Sequence, residues 1–168
     1  MTEVTTTYLE ISALAELKAK AAGDDRFQVR EAKVPKWQVN RFLYFSVGER
    51  WGWSDKRTWS DARWRAYAEA NDLRTFLGFV DDSMAGYYEL QKKRREVEIA
   101  YFGLVPEFIG HGLGGALLTS AIEEGFRWGA ARVWVHTCTL DHPAALQNYT
   151  ARGMRIYKNS SEQRVTKE

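Results

Sequence analysis

The run "PEFIGHGLGGALL", Pro106–Leu118, sets Gly110, Gly112, Gly114 and Gly115 directly before a leucine-rich helical pattern. Glycines at such a junction let the backbone turn left-handed and approach a ligand closely. The first turn of the helix then offers about four unpaired N–H donors and roughly half a positive charge. Together these features suit an anion such as a phosphate. A tight turn closed by the same glycines is the simpler reading, and both stand at this point. Spacing bears on two nucleotide loops. Gly110, Gly112 and Gly115 satisfy G-x-G-x-x-G, but that fingerprint follows its strand immediately and opens a series of alternating strands and helices. Here "PEFI" intervenes and too little chain follows, which leaves the dinucleotide reading weak. A P-loop ends in Gly-Lys-Ser/Thr; Gly114-Gly115-Ala116 supplies neither the lysine nor the hydroxyl. His136 and Cys138 share one strand face, but two side chains do not complete a metal site, so no metal is expected. Cys138 reads as packing.

The elements that must position this loop follow from periodicity. The chain opens with a strand near Thr5–Ile11, an alanine-rich helix near Leu14–Ala22 and a strand near Phe27–Lys33. A helix is predicted over Trp37–Phe45, and a second from an N-cap at Ser60 to about Ala70. Between them lies the tryptophan-rich loop "VGERWGWSDKRTWSD". "LRTFLGFV" and "MAGYYELQ", separated by "DDS", read as a hairpin, and "EVEIAYFGLV" as a third strand ending at Pro106. The segment Leu113–Trp128 carries the clearest apolar stripe, Leu117, Leu118, Ala121, Ile122 and Phe126. "RVWVHTC" is then a strand, "DHPAALQNYTAR" a helix capped by Asp141 and stopped by Gly153, and "MRIYK" a last strand. The fold class expected is α+β, a mixed and mainly antiparallel sheet flanked by helices.

Two of these segments carry a resemblance. "VPEFIGHGLGGALL" resembles the pyrophosphate-binding motif Q/R-x-x-G-x-G/A of the GNAT superfamily of N-acetyltransferases, at Ile109–Gly114. "DHPAALQNYTARGM" resembles the superfamily's later N-x-x-A-x-x-x-Y-x-x-x-G-F block, and the similarity extends from about Leu73 to Lys158. Ile109 replaces the usual Gln or Arg, and His142 stands where Asn is common. The resemblance implies a single domain over residues 1–168, with acceptor-side helices in 1–70 and an acetyl-CoA-binding core in 73–158. It implies a splayed central strand pair, with backbone donors near Leu104 and Val105 at the thioester carbonyl. The loop Ile109, Gly110, His111, Gly112, Leu113, Gly114 and Gly115 would hold the pyrophosphate, and His142 would lie at the coenzyme arm. Glu98 matches the position of a general base in one branch of the superfamily, and Tyr149 the tyrosine that protonates the departing sulfur. For both residues there is a plainer alternative: Glu98 balancing "KKRR" at a strand start, and Tyr149 packing beside Ala145 and Leu146.

Family members commonly bind the acceptor with their early helices, which here hold Trp51, Trp53, Trp59 and Trp64. Tryptophan faces attract ammonium groups by about 0.5–2 kcal/mol, so Trp51, Trp53 and Trp59 are expected to form the wall for a small amine, with a satellite hydrophobic cluster beneath a loop as the plainer alternative. Composition fits a small-molecule partner. With 24 Lys and Arg against 22 Asp and Glu, the net charge of +2 gives no field for nucleic acid or an anionic membrane. The single Cys138 excludes an internal disulfide framework and points to a reducing cytoplasm or to indifference to redox state, with a cytoplasmic location expected. The opening "MTEVTTTYLE" lacks a basic then apolar pattern, so export is not expected. The activity expected is acetyl transfer from acetyl-CoA to a primary amine by direct attack. A non-catalytic acyl-CoA binder and a coenzyme-free interaction domain are the rival classes. The resemblance also allows a homodimer.

Overall fold

The apolar runs from Leu73 onward form an antiparallel meander: β3 (Leu73–Val80), β4 (Ser83–Lys93) and β5 (Glu96–Leu104). Asp81 and Asp82 take left-handed conformations, φ 47° and 62°, which match a tight turn to the strand twist. Arg94, φ 59°, closes the second hairpin. "KKRR" is therefore a strand end and its turn. Lys92 Nζ donates to the Trp128 carbonyl at 2.7 Å, at the far end of the long helix from the glycine loop.

The remaining elements are β1 (Thr2–Ile11), β2 (Phe27–Glu31), α1 (Trp37–Gly48), α2 (Asp61–Ala68), α3 (Gly114–Arg127), β6 (Arg132–Cys138), α4 (Ala145–Ala151) and β7 (Arg155–Arg164). This computed structural model describes residues 1–165, so 166–168 of the expected domain lie outside the described residues. The sheet order is β2-β3-β4-β5-β6-β1-β7. The N-terminal strand thus sits between β6 and β7, antiparallel to both. All pairs are antiparallel except β5 with β6, which match only at Glu96↔Arg132, Val97↔Val133 and Glu98↔Trp134. Beyond Glu98 the two strands part, giving the expected splayed pair. Among the described residues no helix is long and apolar enough to cross a membrane.

Alternation along the strands divides the core in two. On one face, Leu117, Leu118, Ala121 and Ile122 of α3 pack on Leu9, Ile11, Leu90, Val97, Ile99, Val133 and Val135. Each such fully buried side chain contributes about 1.5–3 kcal/mol of transfer free energy. On the other face, α1 and α2 cover Leu73 and Tyr87 with Trp37, Leu43, Tyr44, Val47 and Trp64. Ser60 caps α2 as expected, accepting from the Arg63 amide at 3.2 Å.

Two expected elements differ. The helix predicted over 14–22 is a single 3₁₀ turn, Leu14–Glu16, with no buried residue. Without an apolar face to bury, so short a helix does not hold in water. The Lys18 and Lys20 amides bond to the Arg152 carbonyl and Thr119 Oγ1 instead, lashing the segment across α3 and α4. Asp141 does not cap α4, which begins at Ala145 after Pro143. Its carboxylate closes the end of β6 by accepting from the Cys138 amide at 3.0 Å and Thr137 Oγ1 at 2.6 Å.

A buried polar cluster ties α1 and α2 to the sheet. Asn40 Nδ2 donates to Glu89 Oε2 and to Thr75 Oγ1, each at 2.8 Å, and the Tyr67 hydroxyl donates to Glu89 Oε1 at 2.6 Å. Burial raises the Glu89 carboxyl above its ordinary value, against these donors. What Glu89 contributes to stability is therefore present below its unfolded value and lost as pH rises through the raised folded one. Asn40→Leu removes a donor from a buried carboxylate and is expected to cost about 3 kcal/mol. Urea titration should show that deficit narrowing on acidification, as Glu89 becomes protonated.

Candidate functional site

The glycine loop leaves the sheet after β5 through a 3₁₀ turn, Pro106–Phe108, and enters α3. Gly110 and Gly112 have φ of 85° and 73°, with nothing within 4 Å of an added Cβ. Their requirement is conformational: the chain must turn left-handed twice before the helix begins. Leu113 occupies the N-cap without a side-chain bond, and the first turn of α3 carries no acidic residue. Its amides are left for a ligand. Two cations converge beside them, since a Cβ on Gly115 would strike Arg152 Nη1 and the Lys20 side chain. Arg152 Nε is buried without a partner among the described residues. Asn148 Nδ2 fixes the loop's end by donating to the Gly114 carbonyl at 3.1 Å.

The loop borders a cavity of about 920 Å³, opened where β5 and β6 diverge. Leu104, Ile109, Gly110, Gly112, Leu113, Gly114, Gly115 and His142 line it. Val105 and His111 do not. The Val105 amide is spent on the Ala85 carbonyl at 2.9 Å, and His111 lies exposed against the Phe108 ring. Lys20, Asn148 and the β7 residues Ser160, Ser161, Glu162 and Arg164 complete the wall.

Glu98 enters the cavity from β5. A bulge sets Glu89 opposite Tyr101 and Leu90 opposite Ile99, leaving Ala100 as the extra residue. Val97 and Ile99 face α3, so Glu98 faces the α1 and α2 side, and the bulge turns Tyr101 to that side as well. Burial raises the Glu98 carboxyl, with His136 and Lys56 opposing the rise. His136 Nε2 stands 3.7 Å from Glu98 Oε1. Tyr149 of α4 reaches the same cavity with its ring 6.0 Å from that of Phe102. Burial, and then the charge of Asp141, push its hydroxyl well above the ordinary tyrosine range, so it stays protonated at neutral pH. Cys138 also borders the cavity, but burial and Asp141 raise its thiol, which disfavours the thiolate.

The tryptophan loop roofs the cavity, though not as expected throughout. Trp51 meets the His142 ring edge-on at 4.7 Å, and both line the wall. Trp53 donates to Asp141 Oδ1 at 3.3 Å and packs on Tyr101 at 4.9 Å. Trp59 does not line the cavity. Its face lies over Lys56 Nζ at 4.4 Å, with Tyr67 and Tyr101 each at 4.7 Å from the same ammonium. Lys56 Nζ also donates to Asp55 Oδ2 at 3.0 Å and Tyr101 Oη at 2.9 Å. Of the wall expected to draw a cationic acceptor, Trp59 is thus taken up by the chain's own lysine, in a cage with Tyr67 and Tyr101. That cage, with Tyr44 donating to Asp55 and accepting from the Lys56 amide, pins the loop to the sheet.

The splayed strand pair is the one the resemblance implied. A model of the acetyltransferase (GNAT) family matches residues 36–154. This chain belongs to the GNAT acetyltransferase family. Solved GNAT structures share its fold at low identity. The GCN5-related N-acetyltransferase from Sphaerobacter thermophilus superposes with a TM-score of 0.74 at 14% identity, over 95% of this chain and 50% of that one. The corresponding enzyme from Kribbella flavida gives 0.65 at 15%, over 94% and 56%. An aminoglycoside acetyltransferase from an uncultured soil metagenomic sample, in complex with trehalose, gives 0.63 at 12%, over 77% and 88%. This GNAT chain therefore spans about half the length of the first two. A comparison with curated proteins found no match. The family model begins after β2 and ends before β7, so the strands closing both sides of the sheet lie outside it.

Proposed function

We propose that this GNAT chain transfers an acetyl group from acetyl-CoA to a primary amine of a small acceptor, by direct attack with both substrates bound. The observation that carries the reading is convergence: Glu98, Tyr149 and the glycine loop border one cavity from three different elements. The residues present fit a pyrophosphate, because the unspent amides of α3 and the Lys20 side chain border the cavity together, with Arg152, itself outside the cavity wall, packed beside Gly115. Acetyl-CoA supplies an acetyl group already activated as a thioester. Backbone amides of the loop and the two cations bind and orient it, and backbone donors near Leu104 polarise the carbonyl, a contribution of roughly 3 kcal/mol. Glu98 accepts the proton that the amine sheds on attack, and Tyr149 donates its own to the departing sulfur. The acceptor enters beneath the loop that carries Trp51 and Trp53. Coenzyme thioesters and a free Cys138 both suit the cytoplasm.

Isothermal titration with acetyl-CoA should show saturable binding. Release of free thiol should then accelerate on adding one of a panel of amines, spermidine, L-lysine, tyramine and sisomicin, the last prompted by the aminoglycoside acetyltransferase above. Binding without accelerated release by any amine would favour a passive acyl-CoA binder, and absence of binding would remove the coenzyme reading. Tyr149→Phe should lower kcat roughly 10²-fold while changing the coenzyme Kd little, because only the proton donor is deleted. A loss confined to Kd would assign Tyr149 to packing against the coenzyme.

A further inference from the structure

We propose that His136 is the proton outlet of the site, a relay residue that takes from Glu98 the proton shed by the acceptor and passes it to solvent. The inference rests on the reading of Glu98 as the base. A buried base needs such an outlet, since each turnover leaves one proton on it and the next requires the carboxylate. The Glu98 side chain is only 22% exposed, whereas that of His136 is 48% exposed. His136 therefore touches the carboxylate on one side and water on the other.

Its position follows from the sheet. Glu98↔Trp134 is the last pair before β5 and β6 part, and His136 lies one pleat further along β6 on the face of Trp134. It thus stands across the mouth of the gap, in the cavity wall with Glu98. Tyr8, its partner in register on β1, meets its ring at 5.6 Å, and Trp134 meets it at 6.3 Å. These rings hold the imidazole toward the carboxylate. At 3.7 Å the pair is slightly too long for a direct hydrogen bond, and a small ring rotation brings the two into contact for transfer.

Other groups facing the pair serve less well. Lys56, from the loop, acts on Glu98 as a fixed cation and is held by Asp55 and Tyr101. Gln91, opposite Glu98 on β4, does not titrate. Tyr8 lies beneath Lys158 of β7, whose Nζ is 4.9 Å from its ring, and Cys138 on β6 keeps its proton. Imidazole is the side chain suited to taking up and releasing a proton near neutrality. The protons balance over a turnover: one moves from the acceptor nitrogen to the Glu98 carboxylate, then to His136, then to water or buffer, and Tyr149 regains from solvent the one it gave to the sulfur.

The test uses His136→Gln and His136→Ala in the full chain, saturated with acetyl-CoA. In protein carrying 13C-labelled glutamate, the Glu98 carboxyl signal, assigned by its loss in Glu98→Gln, should titrate higher without His136. The acid limb of kcat/KM, measured with whichever panel amine is acetylated fastest, should move up by the same amount. Near neutrality kcat should fall about tenfold, less than the roughly 10²- to 10⁴-fold lost with a group that transfers the proton to or from substrate directly, and added imidazole should restore much of it in His136→Ala. An unmoved carboxyl titration, an unmoved acid limb or a loss that imidazole cannot rescue would overturn the relay. If Glu98→Gln is itself fully active, the base assignment has failed; if Glu98→Gln is inactive and both His136 variants match wild type, the relay alone has failed.

Discussion

Glu98→Gln is expected to lower kcat/KM by about 10²- to 10⁴-fold and to abolish the carboxylate-dependent acid limb of its pH profile. The substitution keeps volume and polarity and deletes only the capacity to take a proton. That capacity matters because an alkylammonium of ordinary value near 10.4 lies about 3.4 units above pH 7, a cost of roughly 4.6 kcal/mol that a positioned base offsets. Burial places Glu98 above the usual carboxylate range, nearer to the working pH of a base, while His136 and Lys56 keep it able to ionise. The sign is fixed: below its raised value Glu98 is protonated and idle, so the wild-type rate climbs as pH rises through it. In the variant only the slower climb from ionisation of the acceptor itself should remain. Stability supplies a control. A carboxyl raised in the folded state loses its stabilising contribution as pH rises through that value, so Glu98→Gln should be no less stable than wild type at neutral pH. An unchanged acid limb in a folded variant would remove Glu98 from the chemistry.

The parts of this site legible in the sequence are those whose chemistry is local. Gly110 and Gly112 announce left-handed turns, and the helix pattern behind them announces free amides, so the loop could be read from one stretch of chain. Tyr149 was reachable because its block is also contiguous. Lys20 and Arg152 were not: Arg152 lies in that block but at a position the motif leaves open, and only the folding of the 14–22 segment over α3 brings Lys20 to Gly115. That segment looked helical by composition, and its backbone bonds elsewhere for want of an apolar face. Trp59 was legible as an aromatic but not as one already paired, because the cation over it, Lys56, is nearby in sequence yet engaged through Tyr67 and Tyr101 from two other elements. His136 could be weighed from sequence only as a metal ligand. Its proximity to Glu98 depends on the parallel register of β5 and β6, a pairing made across the whole of α3.

Gly112→Val should weaken acetyl-CoA binding by more than about 10²-fold, while Ile109→Ala changes it by less than about threefold. The two test one claim, that backbone amides and not side chains hold the phosphates. Among the described residues no atom lies within 4 Å of a Cβ at Gly112, so valine there meets no clash with them. Its effect comes from φ of 73°, where a β-branched residue is strained by roughly 1–2 kcal/mol or turns the peptide out of its native orientation. Turning the peptide withdraws donors aimed at an anion, and each charge-assisted bond contributes about 1.5–3 kcal/mol, so losing one or two accounts for the expected change. Melting temperature should move little if the peptide turns, because the loop is exposed there and buries no apolar side chain of its own at Gly112. Ile109 lines the cavity, but its amide is spent on the Pro106 carbonyl at 3.3 Å, a bond that alanine keeps, so the substitution withdraws no donor from the anion. Titration calorimetry of both variants at two salt concentrations separates the amides from the cations: Gly112→Val should retain the wild-type salt dependence, whereas Lys20→Ala and Arg152→Ala should each flatten it. Equal losses at Ile109 and Gly112 would mean that side-chain packing, not the free amides of α3, holds the coenzyme.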